Sequence, residues 1–331
     1  MAGLNHKMGN RGTSNCLLNF GEQEGATGWL IGKPGQGLRQ MFTMMNEARI
    51  SVGMGAAALA YRGYRQSLRY AQERTQGRAQ GDKIGPPVAI IEHVDVRRML
   101  LQQKVYAEGA LALCLYCANL VDQSDDEAEA LLALLTPVAK SWPSEFGLIA
   151  NDLAIQVHGG YGYTRDFDVE QLWRDNRLNP IHEGTTGIQA IDLLGRKLLL
   201  SDGKAIELLR ARITQTSERA QAAGRYKKFA WELLSFWKNV ADTLDGLKAQ
   251  APNTFDDATL FLRAFGHGVI AWLWLDQAMV AAELAETPFH MGIDHACRYF
   301  FENDLPQARS WLSVVAQHST LVRKMPIEAF A

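Results

Sequence analysis

The sequence contains little cysteine and no excess of charge of either sign. Its four cysteines, Cys16, Cys114, Cys117 and Cys297, are irregularly spaced along 331 residues. That usage fits a reducing compartment better than a disulfide framework. The 34 Lys and Arg residues nearly balance the 36 Asp and Glu residues, so no strong field attracts nucleic acid or an anionic membrane.

Long apolar runs are also missing. The first residues, MAGLNHKMGNRG, contain no apolar stretch of the signal-peptide kind. No run approaches the roughly 20 apolar residues that span a bilayer. We therefore predict a cytoplasmic protein without a membrane span. With 47% hydrophobic and 21% charged residues, the composition is that of an ordinary globular protein, and the length leaves room for two domains.

Short strands are predicted near the beginning of the chain. Ser14–Phe20 and Ala26–Gly32 are apolar segments on either side of the polar turn 21–25, and a second turn follows at 33–37. Two isolated strands are marginal in water, and no later segment offers them a convincing partner. We therefore expect residues 1–37 to be the remnant of a larger β domain, and the chain to be a fragment or one part of a split protein.

Almost everything after residue 37 is predicted to be helical, which makes the fold class mainly α. In residues 38–200, apolar periodicity and breakers predict helices over 39–76, 94–121, 124–158, 169–176 and 186–200. The third helix begins with a capping-box pattern at Ser124, and Pro137 and Pro143 are expected to break it. Residues 201–331 are expected to form a second helical domain, with helices over 204–222, 225–248, 256–286, 290–302 and 306–317.

Two short motifs are better explained by packing than by chemistry. Cys114-x-x-Cys117 lies in an apolar helix and has no second cysteine pair, so a metal or redox site is disfavoured. Gly53-x-Gly55 lacks the preceding strand and the third glycine of a dinucleotide-binding fingerprint. We interpret these glycines as small residues that let helices pack closely.

The most informative stretch runs from Gln156 to Gly195, where charges, aromatics and glycines are mixed without a period. Segments of this kind between helices often line a site. Within this stretch, Glu183 comes just before a predicted helix. A carboxylate on such a loop can serve as a general base, or it can simply cap the helix. The spacing alone leaves both interpretations open.

The same stretch resembles the signature of the acyl-CoA dehydrogenase family. Three elements of that signature occur here in order: the glycine-rich turn Gln156–Tyr163, the dipeptide Arg174-Asp175, and the loop Glu183-Gly184-Thr185. Arg49 and the pair Glu73-Arg74 match the family as well. Three elements in the right order and spacing are far more specific than a single glycine motif.

The resemblance implies a domain organisation and a reaction. Residues 1–37 would belong to the family's middle β domain and residues 38–200 to its C-terminal helical domain. Residues 201–331 resemble the extra helical domain of the branch that includes the 3-methylmercaptopropionyl-CoA dehydrogenases. The implied reaction is FAD-dependent oxidation of an acyl-CoA thioester to a trans-2-enoyl-CoA in a homodimer, with electrons passed to an electron-transfer flavoprotein. The present chain would carry only part of that machinery.

The resemblance also implies roles for individual residues. Glu183 would remove the α-proton of the substrate. The residues expected to contact FAD are Arg74, Gln156, Gly159, Gly160 and Thr185. Arg49 and Gly184 would belong to the substrate-binding part of the site, where Arg49 would brace the active-site loop. Some family members carry the base on the first helix; here that position is Ala48, and the neighbouring Glu47 lies off the pattern.

Two other classes of function compete with an enzyme. The first is a non-catalytic helical assembly module. The second is a DNA-associated relative, because one branch of the superfamily binds DNA through a basic C-terminal domain. Residues 201–331 contain 14 Lys and Arg against 15 Asp and Glu. A DNA-binding surface needs a basic face, so this balance disfavours the second alternative.

Overall fold

The computed structural model describes residues 1–249 and 254–331 and consists mainly of helices, which confirms the predicted fold class. The first helical part contains α1 (Gly37–Glu73), α2 (Val94–Gln123), α3 (Asp126–His158), α4 (Val169–Asn176) and α5 (Thr186–Ile191). The second part contains α6 (Lys204–Ala223), α7 (Lys227–Lys248), α8 (Ala258–Glu283), α9 (Pro288–Tyr299), α10 (Leu305–Val315) and α11 (Leu321–Lys324). Single turns or π-helical segments lie at Ile90–Glu92, Gly159–Tyr163, Asp192–Leu199, Phe300–Asp304 and Ile327–Phe330.

The β content is smaller than the sequence predicts. Strands β1 (Gly3–Leu4) and β2 (Cys16–Leu17) form one antiparallel pair, so only the middle of the predicted strand Ser14–Phe20 is extended in a ladder. The prediction for Ala26–Gly32 was wrong: this segment is neither strand nor helix, and Trp29 within it is 86% exposed. No neighbour in the described part of the chain supplies the ladder hydrogen bonds that an extended segment needs.

Helix α3 runs without interruption through Pro137 and Pro143, so the predicted breaks were wrong. Each proline removes one hydrogen bond inside a helix, but every residue from 134 to 144 is buried. Packing on all sides therefore outweighs the lost hydrogen bonds. The carbonyl of Ala139, which Pro143 deprives of its helical partner, faces α1 at Gly53.

The close approach of α1 and α3 depends on Gly53. A Cβ at this position would lie 2.0 Å from the carbonyl oxygen of Ala139 and 3.2 Å from Sγ of Cys114. We expect Gly53→Ala to lower the free energy of unfolding by about 1–3 kcal/mol, because the helices must move apart. The matched control is Gly55→Ala, since a Cβ there meets open space.

Urea denaturation of the two glycine variants checks this packing. Gly55→Ala is expected to leave stability unchanged or to raise it by up to about 1 kcal/mol, the helix-propensity difference between the two residues. Equal effects of the two substitutions would contradict the assigned contact. The structure thus supports the packing interpretation for Gly53 but gives Gly55 no such role.

The second helical part packs onto the first around one continuous hydrophobic core, which contains Leu135 of α3 and Trp274 of α8 alike. Helices α2 and α8 are long and apolar enough to cross a membrane by length and composition alone. Half of the apolar window in α2 and 83% of that in α8 are buried inside the protein. Such burial is typical of core helices.

Two buried polar contacts join the two helical parts. The hydroxyl of Tyr106 on α2 donates to Oδ1 of Asp304 at 2.6 Å, and Nε1 of Trp142 on α3 donates to Nδ1 of His267 on α8 at 3.1 Å. Burial raises the pKa of Asp304 to about 6, although the hydrogen bond from Tyr106 opposes the shift. The carboxyl group is therefore protonated more readily in the folded than in the unfolded protein.

This shift predicts a pH dependence of stability. The folded pKa of Asp304 lies above the unfolded value near 4, so the folded state binds the extra proton between about pH 4 and 6. Its stabilising contribution is complete below pH 4 and is lost as the pH rises through 6. We expect Asp304→Asn to reduce the loss of stability between pH 5 and 7.5 by about 1 kcal/mol, measured by urea denaturation. The exposed Asp242→Asn is the control and is expected to leave the pH profile unchanged.

Candidate active site and nucleotide groove

The loop between α4 and α5 holds Glu183 in an unusual backbone conformation. The φ angle of Glu183 is 53° and that of the following Gly184 is 87°. Glycine adopts such values without cost, whereas a residue with a Cβ is strained there by about 1–3 kcal/mol. A strained conformation persists only where its surroundings hold it.

Two buried side chains hold this loop by its carbonyl groups. Nζ of Lys140, on α3, donates to the carbonyl oxygen of Asn179 at 2.7 Å and to that of Gly184 at 2.8 Å. Nε2 of Gln189 donates to the carbonyl oxygen of Glu183 at 3.0 Å. Lys140 is 0% exposed, so its ammonium group depends on these carbonyls. Burial lowers the pKa of Lys140 to about 8, and the nearby Arg49 adds to that decrease.

A series of asparagines ties the same loop to α1 and α3. Nδ2 of Asn151 donates to the carbonyl oxygen of Leu59 in α1, and Asn176 donates to Oδ1 of Asn151 at 2.7 Å. Asn179 donates in turn to Oδ1 of Asn176 at 2.8 Å, and Nε2 of His182 lies 3.1 Å from Oδ1 of Asn179. Burial lowers the pKa of His182. The loop is therefore fixed to the helices by side chains on both sides of the turn.

The side chain of Glu183 itself is exposed. Among the residues that the structure describes, none forms a hydrogen bond with its carboxylate or its main-chain N–H. Thr185 is the N-cap of α5, and its hydroxyl accepts from the N–H of Ile188 at 3.4 Å. The helix is thus capped by Thr185 rather than by Glu183, which leaves the carboxylate available to an external ligand.

Arg49 lies beneath the loop in a buried ion pair. Its Nη1 is 2.7 Å from Oδ2 of Asp192, and both side chains are almost fully buried. Asp192 begins the π-helical turn after α5 and also pairs with Arg196 at 2.8 Å. The structure therefore places Arg49 near Lys140 and the Glu183 loop, bound to the helix that follows that loop.

The dipeptide Arg174-Asp175 fixes the beginning of the chain to α4. Nη1 of Arg174 donates to the carbonyl oxygen of Met8 at 2.7 Å, and Oδ1 of Asp175 accepts from the N–H of Asn10 at 2.6 Å. A Cβ on Gly9 would clash with the carbonyl of Arg174 at 2.5 Å. This part of the sequence signature has a structural role here.

A second group of predicted residues lines a groove at the other end of α1. The groove has a cavity volume of about 410 Å³, and Arg74, Gly159, Gly160 and Tyr161 are part of its wall. Arg74 is exposed, with its guanidinium 5.9 Å from the ring centroid of Tyr161. A Cβ built on either glycine meets no atom within 4 Å, so the main chain there is open to a ligand.

The floor of this groove is aromatic and uncharged. Tyr70 stacks on His158 with ring centroids 4.4 Å apart, and burial lowers the pKa of His158. Nδ1 of His158 lies 2.7 Å from the carbonyl oxygen of Ala154. Gln156 is exposed on the last turn of α3 and is not part of the cavity wall; its carbonyl oxygen accepts from the N–H of Gly159.

The chemistry of the groove fits the diphosphate bridge of FAD. An exposed guanidinium is a good partner for phosphate oxygens, and open glycine main chain allows close approach of such a group. Aromatic rings provide an apolar surface beside it. The predicted residues thus fall into two groups: Arg74, Gly159 and Gly160 at the groove, and Arg49, Glu183, Gly184 and Thr185 at the loop.

Sequence reasoning missed Lys140 and Gln189. A lysine in a helix is usually exposed, and neither residue belongs to the motif that singles out Glu183. A signal for Lys140 exists: it is the only charged residue between Pro137 and Pro143 in an otherwise apolar segment. Burying a charge in such a segment is costly unless the charge is paired and hydrogen-bonded.

Two family models match most of the chain. Residues 35–199 match the family model described as acyl-CoA dehydrogenase, C-terminal domain. Residues 209–326 match a second model, described as acetyl-CoA dehydrogenase C-terminal like. The chain therefore belongs to the acyl-CoA dehydrogenase family.

Two curated relatives are similar to this chain over most of its length. The chain is 35% identical to a 3-methylmercaptopropionyl-CoA dehydrogenase of Ruegeria pomeroyi, over 86% of this chain and 50% of that protein. It is 33% identical to the broad-specificity linear acyl-CoA dehydrogenase FadE5 of Mycobacterium tuberculosis, over 99% of this chain and 58% of that protein. The chain thus spans about half the length of the curated relatives it matches.

A solved structure shares the fold over both helical parts. Caenorhabditis elegans ACDH-11, in complex with C11-CoA, superposes with a TM-score of 0.77 at 22% identity. The match covers 91% of this chain and 50% of that one. At this identity the likeness shows the fold alone.

Proposed function

We propose that this chain carries the catalytic base and part of the FAD-binding groove of an acyl-CoA dehydrogenase that forms a trans-2-enoyl-CoA. The observation that carries the proposal is the conformation of Glu183. Its carboxylate is exposed and unpaired within the described residues, yet its main chain is held in a strained turn by Lys140 and Gln189. Strain that is held in place by buried side chains is typical of functional sites, and the family supplies the reaction.

In the proposed mechanism, Glu183 accepts the α-proton of the acyl-CoA thioester. That proton is weakly acidic, so the developing enolate oxygen needs a positioned donor. The main-chain N–H of Glu183 suits this role because no described residue accepts a hydrogen bond from it. FAD, when bound, supplies the acceptor for the β-hydrogen as hydride.

At the groove, Arg74 and the open main chain of Gly159 and Gly160 would hold the diphosphate of FAD. Gln156 and Thr185 are proposed as further contacts, and Gly184 and Arg49 as residues of the substrate side. The resemblance supports a homodimer in the cytoplasm whose reduced flavin passes electrons to an electron-transfer flavoprotein. It also supports the division of the chain at residues 37 and 200.

The test uses visible spectra of the flavin. Because the chain spans about half the length of its relatives, the assay compares the chain alone with a chimera. In the chimera, the N-terminal half of the Ruegeria pomeroyi relative precedes this chain. Each protein is mixed with FAD, passed through gel filtration and titrated anaerobically with butanoyl-CoA and 3-methylmercaptopropionyl-CoA.

Flavin that stays with the chimera and is bleached by either thioester would support the proposal. Bleaching by the chain alone would show that residues 1–331 complete a working site. A folded chimera that retains no flavin would contradict the proposal. In that case an intact dimer without flavin would favour the alternative, a non-catalytic assembly module.

A further inference from the structure

We propose that Lys140 is a positioning residue for the Glu183 loop: its ammonium group fixes the turn from which the carboxylate reaches the substrate. This proposal rests on the proposed function for its catalytic consequence but not for its structural part. Lys140 lies 43 positions before Glu183 in the sequence and contacts the loop only through the fold. The test below separates the two parts.

The first argument is the cost of burying an ammonium group. Lys140 is completely buried in the middle of α3, among apolar neighbours and two prolines. Burying an isolated charge costs many kcal/mol unless it is paired and hydrogen-bonded. A leucine or methionine would fill the same space without that cost. The lysine is therefore better explained by the contacts of its ammonium group than by packing.

The second argument is where those contacts lie. The carbonyl of Asn179 is four residues before Glu183, and the carbonyl of Gly184 is directly after it. One ammonium group thus joins both ends of the turn that contains the strained residue. Gln189 holds the carbonyl of Glu183 itself, so carbonyls before, at and after the proposed base are all held.

The third argument is the charge of the group. Cationic Lys140 lies close enough to Glu183 and Glu145 for both carboxylates to favour its charged form, while Arg49 opposes it. Lys140 therefore holds the loop by two hydrogen bonds and also places a positive charge near it.

The experiment replaces Lys140 with methionine, which has a similar length but no donor and no charge. The control is Lys104→Met, since Lys104 is a second largely buried lysine but pairs with Glu108 within α2. Hydrogen exchange of the amides in residues 180–187 is measured by mass spectrometry on the full chain. We expect at least about tenfold faster exchange in this segment for Lys140→Met, because two hydrogen bonds to the loop are lost. The control is expected to leave the segment unchanged.

If Lys140→Met does not fold, Lys140→Gln is measured instead. It retains an uncharged donor but is too short to reach both carbonyls, so the same local acceleration is expected. Unchanged exchange in 180–187, or equal acceleration throughout the chain, would overturn the proposal. Failure of both variants to fold would also overturn it, because Lys140 would then be required for the fold as a whole.

The catalytic consequence of the proposal is tested by measuring flavin reduction in the flavin-binding chimera. Lys140→Met is expected to lower kcat for flavin reduction by at least about tenfold with KM changed less than twofold, since positioning acts on the chemical step. Unchanged kcat in a variant with accelerated loop exchange would overturn this part. If the chimera with native Lys140 does not reduce its flavin, the proposed function fails, and the exchange result still decides whether Lys140 holds the loop.

Discussion

Glu183→Gln is expected to lower the rate of flavin reduction in the chimera by about 10²- to 10⁴-fold, the usual contribution of a general base. An amide has nearly the same shape as the carboxylate but cannot accept the α-proton. The side chain of Glu183 is exposed and unpaired among the described residues. The substitution should therefore leave the loop, the stability and the bound flavin unchanged.

Stopped-flow bleaching of the flavin under anaerobic conditions measures this rate. Glu47→Gln is the matched control, because Glu47 is an exposed carboxylate on α1 beside Ala48, the position that holds the base in some family members. The control is expected to keep the full rate. Bleaching that survives Glu183→Gln but disappears in Glu47→Gln would assign the base to α1 instead.

Asp192→Asn is expected to lower the free energy of unfolding by about 3–5 kcal/mol, because it leaves the buried guanidinium of Arg49 without a counter-charge. The two side chains are 2.7 Å apart and almost fully buried. Arg196, the second partner of Asp192, has a side chain that is 57% exposed, and an exposed ion pair contributes little to stability. The loss of stability should therefore come mainly from the unpaired guanidinium of Arg49.

Urea denaturation compares this variant with Asp168→Asn. Asp168 pairs with Arg62 at 2.9 Å, but these side chains are 55% and 61% exposed, so a loss below about 1 kcal/mol is expected. The double variant Arg49→Met with Asp192→Leu should recover much of the stability, since a well-packed apolar pair often replaces a buried ion pair without loss. A loss for Asp192→Asn no larger than that of the exposed control would show that the pair contributes little.

The helices of this fold follow closely from the sequence because their signals are local. The predicted helix 169–176 has the same bounds as α4, and α2 differs from its prediction by two residues at its end. The predicted breaks at Pro137 and Pro143 failed because the local rule assumes a partly exposed helix. Burial of the whole segment supplies packing energy that no local pattern reveals.

Only the site residues that belong to the sequence motif could be predicted from the sequence. The position of Glu183 follows from the motif, but its positive φ does not, because the turn is held in part by a side chain that is distant in sequence. Lys140 reaches Gly184 across 44 residues. Arg49 reaches Asp192 across 143. Such pairings depend on how α1, α3 and α5 pack.

The length of α1 separates the two groups of site residues. Arg49 in α1 and Arg74, the residue that caps its C-terminal end, are 25 residues apart, which corresponds to about 37 Å along the helix axis. If the proposed cofactor is shared across the interface of the proposed homodimer, the loop and the groove of one chain would serve two different cofactors. A chain defective only at Glu183 and a chain defective only at Arg74 would then complement each other: a mixed dimer would contain one site with both defects and one with neither. The unit of function would be the pair of chains, with α1 connecting one reaction centre to the other.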